Sequence, residues 1–131
     1  MRHQPIFLTP AETIEIHKYQ MEHFGGTDGL RSLDLLESAG GIPASTFNGN
    51  YLHPTVPDMA AAYLFHIVGN HPFVDGNKRV GTMSALVFLE LNGYDFDASD
   101  DELTGVVLQV AGGKMPKEKL SLFFRRHSRH R

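Results

Sequence analysis

Two apolar stretches that flank nine residues rich in charge and turn formers constrain this chain more than any other feature. Residues 63–68 run directly into His71-Pro72-Phe73-Val74-Asp75-Gly76-Asn77-Lys78-Arg79, and residues 80–91 resume with apolar side chains on nearly every face. A helix that is apolar all round is one wrapped by others. The pattern predicts a central helix-loop-helix, with the loop's polar groups gathered at the start of the second helix. The first N–H groups of a helix have no internal partner and carry the positive end of its dipole, so anions bind there.

Each residue of the loop suits a step of anion chemistry. Gly76 allows a tight turn and a close backbone approach, so that N–H groups of residues 76–79 form a concave nest for a phosphate. Lys78 adds a point charge and Arg79 a planar fork. His71 is of the residue type best suited to take a proton from a hydroxyl at neutral pH. Asp75 offers a hard oxygen to Mg²⁺, which takes one or two carboxylates plus substrate phosphates; its plainer reading is a partner for the helix dipole. Phe73, between base and carboxylate, reads as the anchor that holds the loop in the core. Asn77 reads either as a cap of the second helix or as a phosphate-placing residue.

Helix-start signatures divide the rest. Thr9-Pro10-Ala11-Glu12 is a capping box with Pro at the first helical position, and the first helix runs to about His23. Gly25-Gly26-Thr27-Asp28-Gly29 stops it; no Gly-Lys-Ser/Thr follows, so the cluster is a turn and not a nucleotide-binding loop. A second helix ends near Ser38. Residues 42–55 form a long connection in which Asn48-Gly49 suits a tight hairpin turn. Thr55-Val56-Pro57 opens a third helix ending near Gly69, the fourth spans about residues 77–91, and Asn92-Gly93 ends it. Ser99-Asp100-Asp101-Glu102 starts a fifth helix that stops at Gly112-Gly113. Pro116 opens a sixth, in which Leu120, Phe123 and Phe124 pack inward. The expected fold is all-α: one domain, residues 1–131, with about six helices and a small flap loop or hairpin. His66 reads as a satisfied core histidine, and His17, His23, His53, His127 and His130 as surface or tail residues, since none repeats a metal-binding spacing.

Composition closes off several function classes. A formal charge of -3 argues against a general nucleic-acid binder. The charge is uneven: from Lys114 onward seven Lys or Arg face a single acidic residue, Glu118. Those cations read either as a solvated helix face with a frayed end or as a docking surface for an acidic partner. No cysteine occurs, which fits a reducing compartment, and no apolar run reaches membrane-spanning length.

The loop carries the full pattern His-x-Phe-x-Asp/Glu-Gly/Ala-Asn-Gly/Lys-Arg and resembles the Fic/Doc family there. The resemblance extends to Gly29-Leu30-Arg31, Leu35-Leu36-Glu37-Ser38-Ala39, residues 86–94 and Gly112-Gly113, and so covers essentially the whole chain. Within that family the residue after the Asn divides two activities. Adenylyl-transferring Fic enzymes carry Gly there and usually a second Arg three residues after the first; Doc-type toxins carry Lys. Here these positions are Lys78 and Thr82, and the resemblance is to the Doc type. Ser32 departs from the Asp found after the Arg in many relatives.

The resemblance implies a toxin of a toxin-antitoxin system, located in the bacterial cytoplasm. It would transfer the γ-phosphate of ATP, with Mg²⁺, to a Ser or Thr hydroxyl of elongation factor Tu and so inhibit translation. His71 would be the catalytic base, Asp75 the metal ligand, and Gly76, Asn77, Lys78 and Arg79 the nucleotide-binding residues. It also implies a flap in residues 42–55 that positions the target by strand-like pairing. No Ser or Thr here has Glu four residues later, so the family's inhibitory helix motif is absent, and a separate Phd-like antitoxin is the expected partner. The alternatives are an adenylyltransferase that tolerates Lys78 and a module that binds nucleotide or a partner without turnover.

Overall fold

The computed structural model describes residues 4–131. Six helices form the body: α1 (Pro10–Phe24), α2 (Leu33–Gly41), α3 (Val56–Asn70), α4 (Asn77–Leu91), α5 (Asp100–Ala111) and α6 (Lys117–His127). Both predicted capping boxes are made, Thr9 with Glu12 and Ser99 with Glu102, so α1 and α5 begin where the sequence placed them. The helix α2 continues three residues past Ser38, into a 3₁₀ turn at Ile42–Ala44.

The centre of the molecule is the α3–α4 pair. Residues 57–64 of α3 are buried without a break, and Val80, Ala85, Phe88 and Leu89 of α4 meet them. Contact is close because of Gly81: a Cβ there would lie 3.0 Å from the Val68 side chain and 3.4 Å from the Leu64 carbonyl. Tyr63, fully buried, turns its hydroxyl to accept the Leu8 N–H at 2.9 Å, which ties the segment before α1 to the core. Around this pair, α2 and α6 pack on α3, α1 packs on α4, and α5 touches both. Leu120 and Phe124 fill the α6 contact, while Phe123 stays half-buried at its rim.

Four short strands complete the fold. β1 (Thr46–Phe47) and β2 (Asn50–Tyr51) make the hairpin expected at Asn48-Gly49, both of which have positive φ as the tight turn requires. β3 (Tyr94–Phe96) pairs antiparallel with β4 (Ser128–His130), an arrangement the sequence did not disclose. The expectation of a frayed basic tail is thereby corrected. Arg131 bonds Asp95 at 2.6 Å and Glu90 at 3.2 Å, Arg129 lies 3.4 Å from Asp97, and Arg125 bonds the buried Asp58 at 2.7 Å. Three of the seven cations near the chain's end thus have internal partners, leaving less charge for an external acidic one.

His66 also departs from expectation. It is half-buried, but its Nε2 has no hydrogen-bond partner among the described residues, so it is not a satisfied core histidine there. Burial pushes it down to about 4, with the charges of Lys117 and His53 adding to the effect.

Candidate active site

The loop between α3 and α4 is held in place by backbone geometry that its residue types select. His71 ends α3 in the left-handed region (φ 51, ψ 55), and its N–H still reaches Ile67 at 3.2 Å. Its side chain is exposed and makes no hydrogen bond among the described residues. Gly76, also left-handed (φ 77, ψ 18), is the N-cap of α4 and supplies no side chain to close the helix end. The first helical bond runs from Val80 N–H to Gly76 O at 2.9 Å. The N–H groups of Asn77, Lys78 and Arg79 are therefore left open, at the positive end of a fifteen-residue helix.

Two sequence expectations need correction here. The nest does not include Gly76 N–H, because that group donates to the Asp75 carboxylate at 2.8 Å. Nor does Asn77 cap α4 with its side chain. Asn77 is buried and bridges the loop instead, its amide donating to Phe73 O and its oxygen accepting from Phe73 N–H, both at 3.0 Å. Its contribution to a ligand is its own backbone N–H.

Phe73 is 2% exposed and lies within the core. The opposite edge of its strand-like segment faces residues 25–32, the connection from α1 to α2. Arg31 N–H reaches Pro72 O at 2.8 Å and Val74 N–H reaches Gly29 O at 3.0 Å, so Leu30 and Phe73 pair antiparallel. The Arg31 guanidinium donates to His71 O at 2.7 Å and to Asn70 O at 2.9 Å, capping α3. The glycine cluster is thus more than a turn. Thr27 N–H bonds the Asp75 carboxylate at 3.0 Å, and Arg79 donates to Gly25 O at 2.9 Å.

The β1–β2 hairpin, by contrast, lies away from His71. It precedes the first turn of α3, whereas His71 follows the last turn of that helix, which is about 22 Å long. Tyr51 packs on Phe7, which stacks on Phe88 near the far end of α4. The hairpin expected in residues 42–55 is present, and the segment lying over the loop is residues 25–32.

The exposed Asp75 carboxylate accepts from two backbone N–H groups, Thr27 foremost and then Gly76. With smaller help from Arg79 and His17, these hold it below the usual carboxylate range and so ionised. Each oxygen keeps a free lone pair, which fits one protein ligand of Mg²⁺; among the described residues no cluster of three acidic, His or Cys groups forms a closed metal cage. Lys78 is exposed and, with Arg79, lines a cleft of about 300 Å³ whose other walls include Gln20, Thr82, Met83, Leu103 and Leu108. Thr82, at the place of the absent second Arg, turns its hydroxyl to Lys78 O at 2.7 Å.

His17, read from sequence as a surface residue, is 2% exposed and lies flat on Phe73, ring centres 3.9 Å apart and planes within 7°. Its Nε2 is 2.8 Å from Asp75 O. The signal missed was spacing: His17 falls on the helical stripe with Thr13, Gln20 and Met21, all buried.

The family model described as Fic/DOC matches residues 7–89. The chain is 37% identical to "Toxin Doc" of Mycolicibacterium smegmatis over 89 residues, 63% of this chain and 68% of that protein. It is 28% identical to "Protein kinase doc" of Escherichia phage P1 over 130 residues, 96% of this chain and 95% of that one. With the whole loop pattern in place and relatives that both carry the Doc name, the chain belongs to the Fic/DOC family and is of its Doc type.

Proposed function

We propose that this protein is a Doc-like toxin that transfers the γ-phosphate of ATP to a Ser or Thr hydroxyl of a target protein, elongation factor Tu, and so inhibits translation. One observation carries the reading: three open N–H groups at the start of α4 share a nine-residue loop with His71, whose side chain has no hydrogen-bond partner among the described residues, and an ionised Asp75. Phosphate site, proton acceptor and counter-ion site fall within nine consecutive residues. The names of the two relatives, a toxin and a protein kinase, support it.

In this reading His71 takes the proton of the acceptor hydroxyl as its oxygen attacks the γ-phosphorus. The bond to the β–γ bridging oxygen breaks, and ADP leaves with that electron pair. The N–H groups of Asn77, Lys78 and Arg79 hold the charge on the transferring group, and the Lys78 ammonium adds to them. Mg²⁺ bound through Asp75 would neutralise the phosphates. The rest of the nucleotide would lie in the Lys78–Leu108 cleft, whose volume of about 300 Å³ is at the small end for such sites. A protein acceptor is supported by the exposed Phe24, Leu30, Leu33 and Val74, apolar side chains grouped at this end of the molecule. A Phd-like antitoxin as partner and the bacterial cytoplasm as location belong to the same reading. No helix among the described residues is long and apolar enough to cross a membrane.

The test is to incubate the protein with ATP–Mg²⁺ and elongation factor Tu and weigh the intact factor. A phosphate-sized gain that falls about 10²–10⁴-fold in rate with His71→Ala is expected. An AMP-sized gain would replace kinase with adenylyltransferase; no gain, with nucleotide bound, would favour a module without turnover on this target.

A further inference from the structure

We infer that His17 is a positioning residue, which sets the plane of the Asp75–Gly76 peptide and, through it, the orientation of the Asp75 carboxylate. His17 is 58 residues away in sequence and touches no part of the exposed surface that a ligand would meet. Its bond to Asp75 has an assigned direction, since a carbonyl oxygen can only accept: Nε2 carries the proton and donates at 2.8 Å. The other ring nitrogen, Nδ1, lies 3.7 Å from the exposed Asp28 carboxylate.

The peptide unit is planar and trans, so its C=O and N–H point in opposite directions. Holding Asp75 O against α1 turns the Gly76 N–H outward, where it meets Asp75 Oδ1 at 2.8 Å. Thr27 N–H fixes the other carboxylate oxygen at 3.0 Å. The carboxylate is therefore held at both oxygens, and one of the two bonds depends on the plane that His17 sets. The flat stack on Phe73 fixes the His17 ring in turn, and Phe73 is locked by Asn77 on its other edge. Little room exists for the peptide to rotate. A Cβ on Gly76 would fall on the Met21 methyl and lie 3.6 Å from His17 Nε2. A residue whose only task was to fill core space would not need the donor.

The structural part of this inference stands without the kinase reading, and its consequence for Mg²⁺ rests on it. The experiment is amide hydrogen exchange by NMR on wild type, His17→Phe and His17→Gln. His17→Phe keeps a flat ring on Phe73 without the donor; His17→Gln keeps an N–H donor without the ring. In His17→Phe, exchange at the Gly76 and Thr27 amides should accelerate about ten-fold, the worth of one neutral hydrogen bond, while core amides of α3 such as Leu64 keep their protection. His17→Gln should restore part of the Gly76 protection. Equal loss at Gly76 and Leu64 would make His17 a packing residue, and unchanged exchange at Gly76 would remove it from the loop's support; either result overturns the inference.

Calorimetric titration of the same proteins with ATP, with and without Mg²⁺, tests the consequence. In His17→Phe the extra affinity conferred by Mg²⁺ should fall about ten-fold, as it should in Asp75→Asn, with Mg²⁺-free binding unchanged. Wild type that binds no ATP would refute the proposed function while leaving the exchange result to decide on His17.

Discussion

Replacing Asn77 by Asp changes one NH₂ to an oxygen and tests how the loop is held. In the native loop Asn77 satisfies both the N–H and the C=O of Phe73 at 3.0 Å, in a place only 8% exposed. No other group among the described residues reaches them, because the bonds between this segment and residues 25–32 use Pro72 and Val74 and leave Phe73's own polar groups pointing the other way. With a carboxylate in place of the amide the Phe73 N–H keeps its acceptor, but the Phe73 carbonyl loses its donor and faces a second oxygen. An unsatisfied buried carbonyl costs about 1–3 kcal/mol, and the opposed carboxylate raises the expected loss to about 2–4 kcal/mol at neutral pH. A proton on the introduced carboxylate would restore the donor, so the pKa of that group is raised in the folded state above an unfolded value of about 3.9. Stability lost by the variant is then fully recovered below about pH 4 and lost again as pH rises through the folded value. Urea unfolding of wild type and Asn77→Asp, compared pair by pair at pH 7.5, 5.5 and 4.0, measures the gap. A variant as stable as wild type at pH 7.5, or a gap that does not narrow on acidification, would refute the bridging role.

Lys78→Ala should lower phosphotransfer by one to two powers of ten with the melting temperature unchanged, since about 1.5–3 kcal/mol of charge-assisted contact is removed from an exposed side chain; single-turnover rates at saturating target check it. Arg79→Ala should lose a similar factor and also some stability, because it releases the bond to Gly25 O. Acid should weaken the fold before the carboxylates titrate: His66 is pushed down to about 4 by burial, and His53 is lowered by the same cause. A lowered folded value for a base means stability present above about 6.5 and lost as pH falls toward 4. Allowing for the ring's partial exposure, we expect a loss of about 1–2 kcal/mol between pH 7.5 and 5, largely abolished in His66→Gln when the two are unfolded in urea. Arg125→Ala leaves the buried Asp58 with the Thr55 hydroxyl as its one side-chain hydrogen-bond partner among the described residues and should destabilise by about 1–3 kcal/mol, less than for a fully buried pair because the arginine is half-exposed. Adding Asp58→Asn should recover part of that loss in a thermal melt.

The features legible in the sequence are those written locally. Thr9 with Glu12 and Ser99 with Glu102 are three residues apart and fix two helix starts by themselves. The loop from His71 to Arg79 is contiguous, so its chemistry could be read before its shape was known. Its supports could not, because they come from far along the chain. His17 reaches Asp75 across 58 residues, Arg31 reaches His71 across 40, and Arg79 reaches Gly25 across 54. Nothing in Gly25-Gly26-Thr27-Asp28-Gly29 distinguishes a glycine run that turns a chain from one that also lies against a partner segment. The β3–β4 pair was hidden for a different reason. Ser128-Arg129-His130 has no apolar alternation, and its register depends on Tyr94 packing against His130 and on Arg131 reaching back to Glu90 and Asp95.

The bonds between residues 25–32 and the α3–α4 loop also bear on how this family can vary. Surface connections ordinarily absorb insertions and deletions at little cost. This one cannot, because Gly29 and Arg31 must stay in register with Val74 and Pro72 while Thr27 meets Asp75. A single added residue would slip that register and move the contacts of His71 and Asp75 together. Length variation among homologues should therefore fall in residues 42–55 and spare residues 25–32.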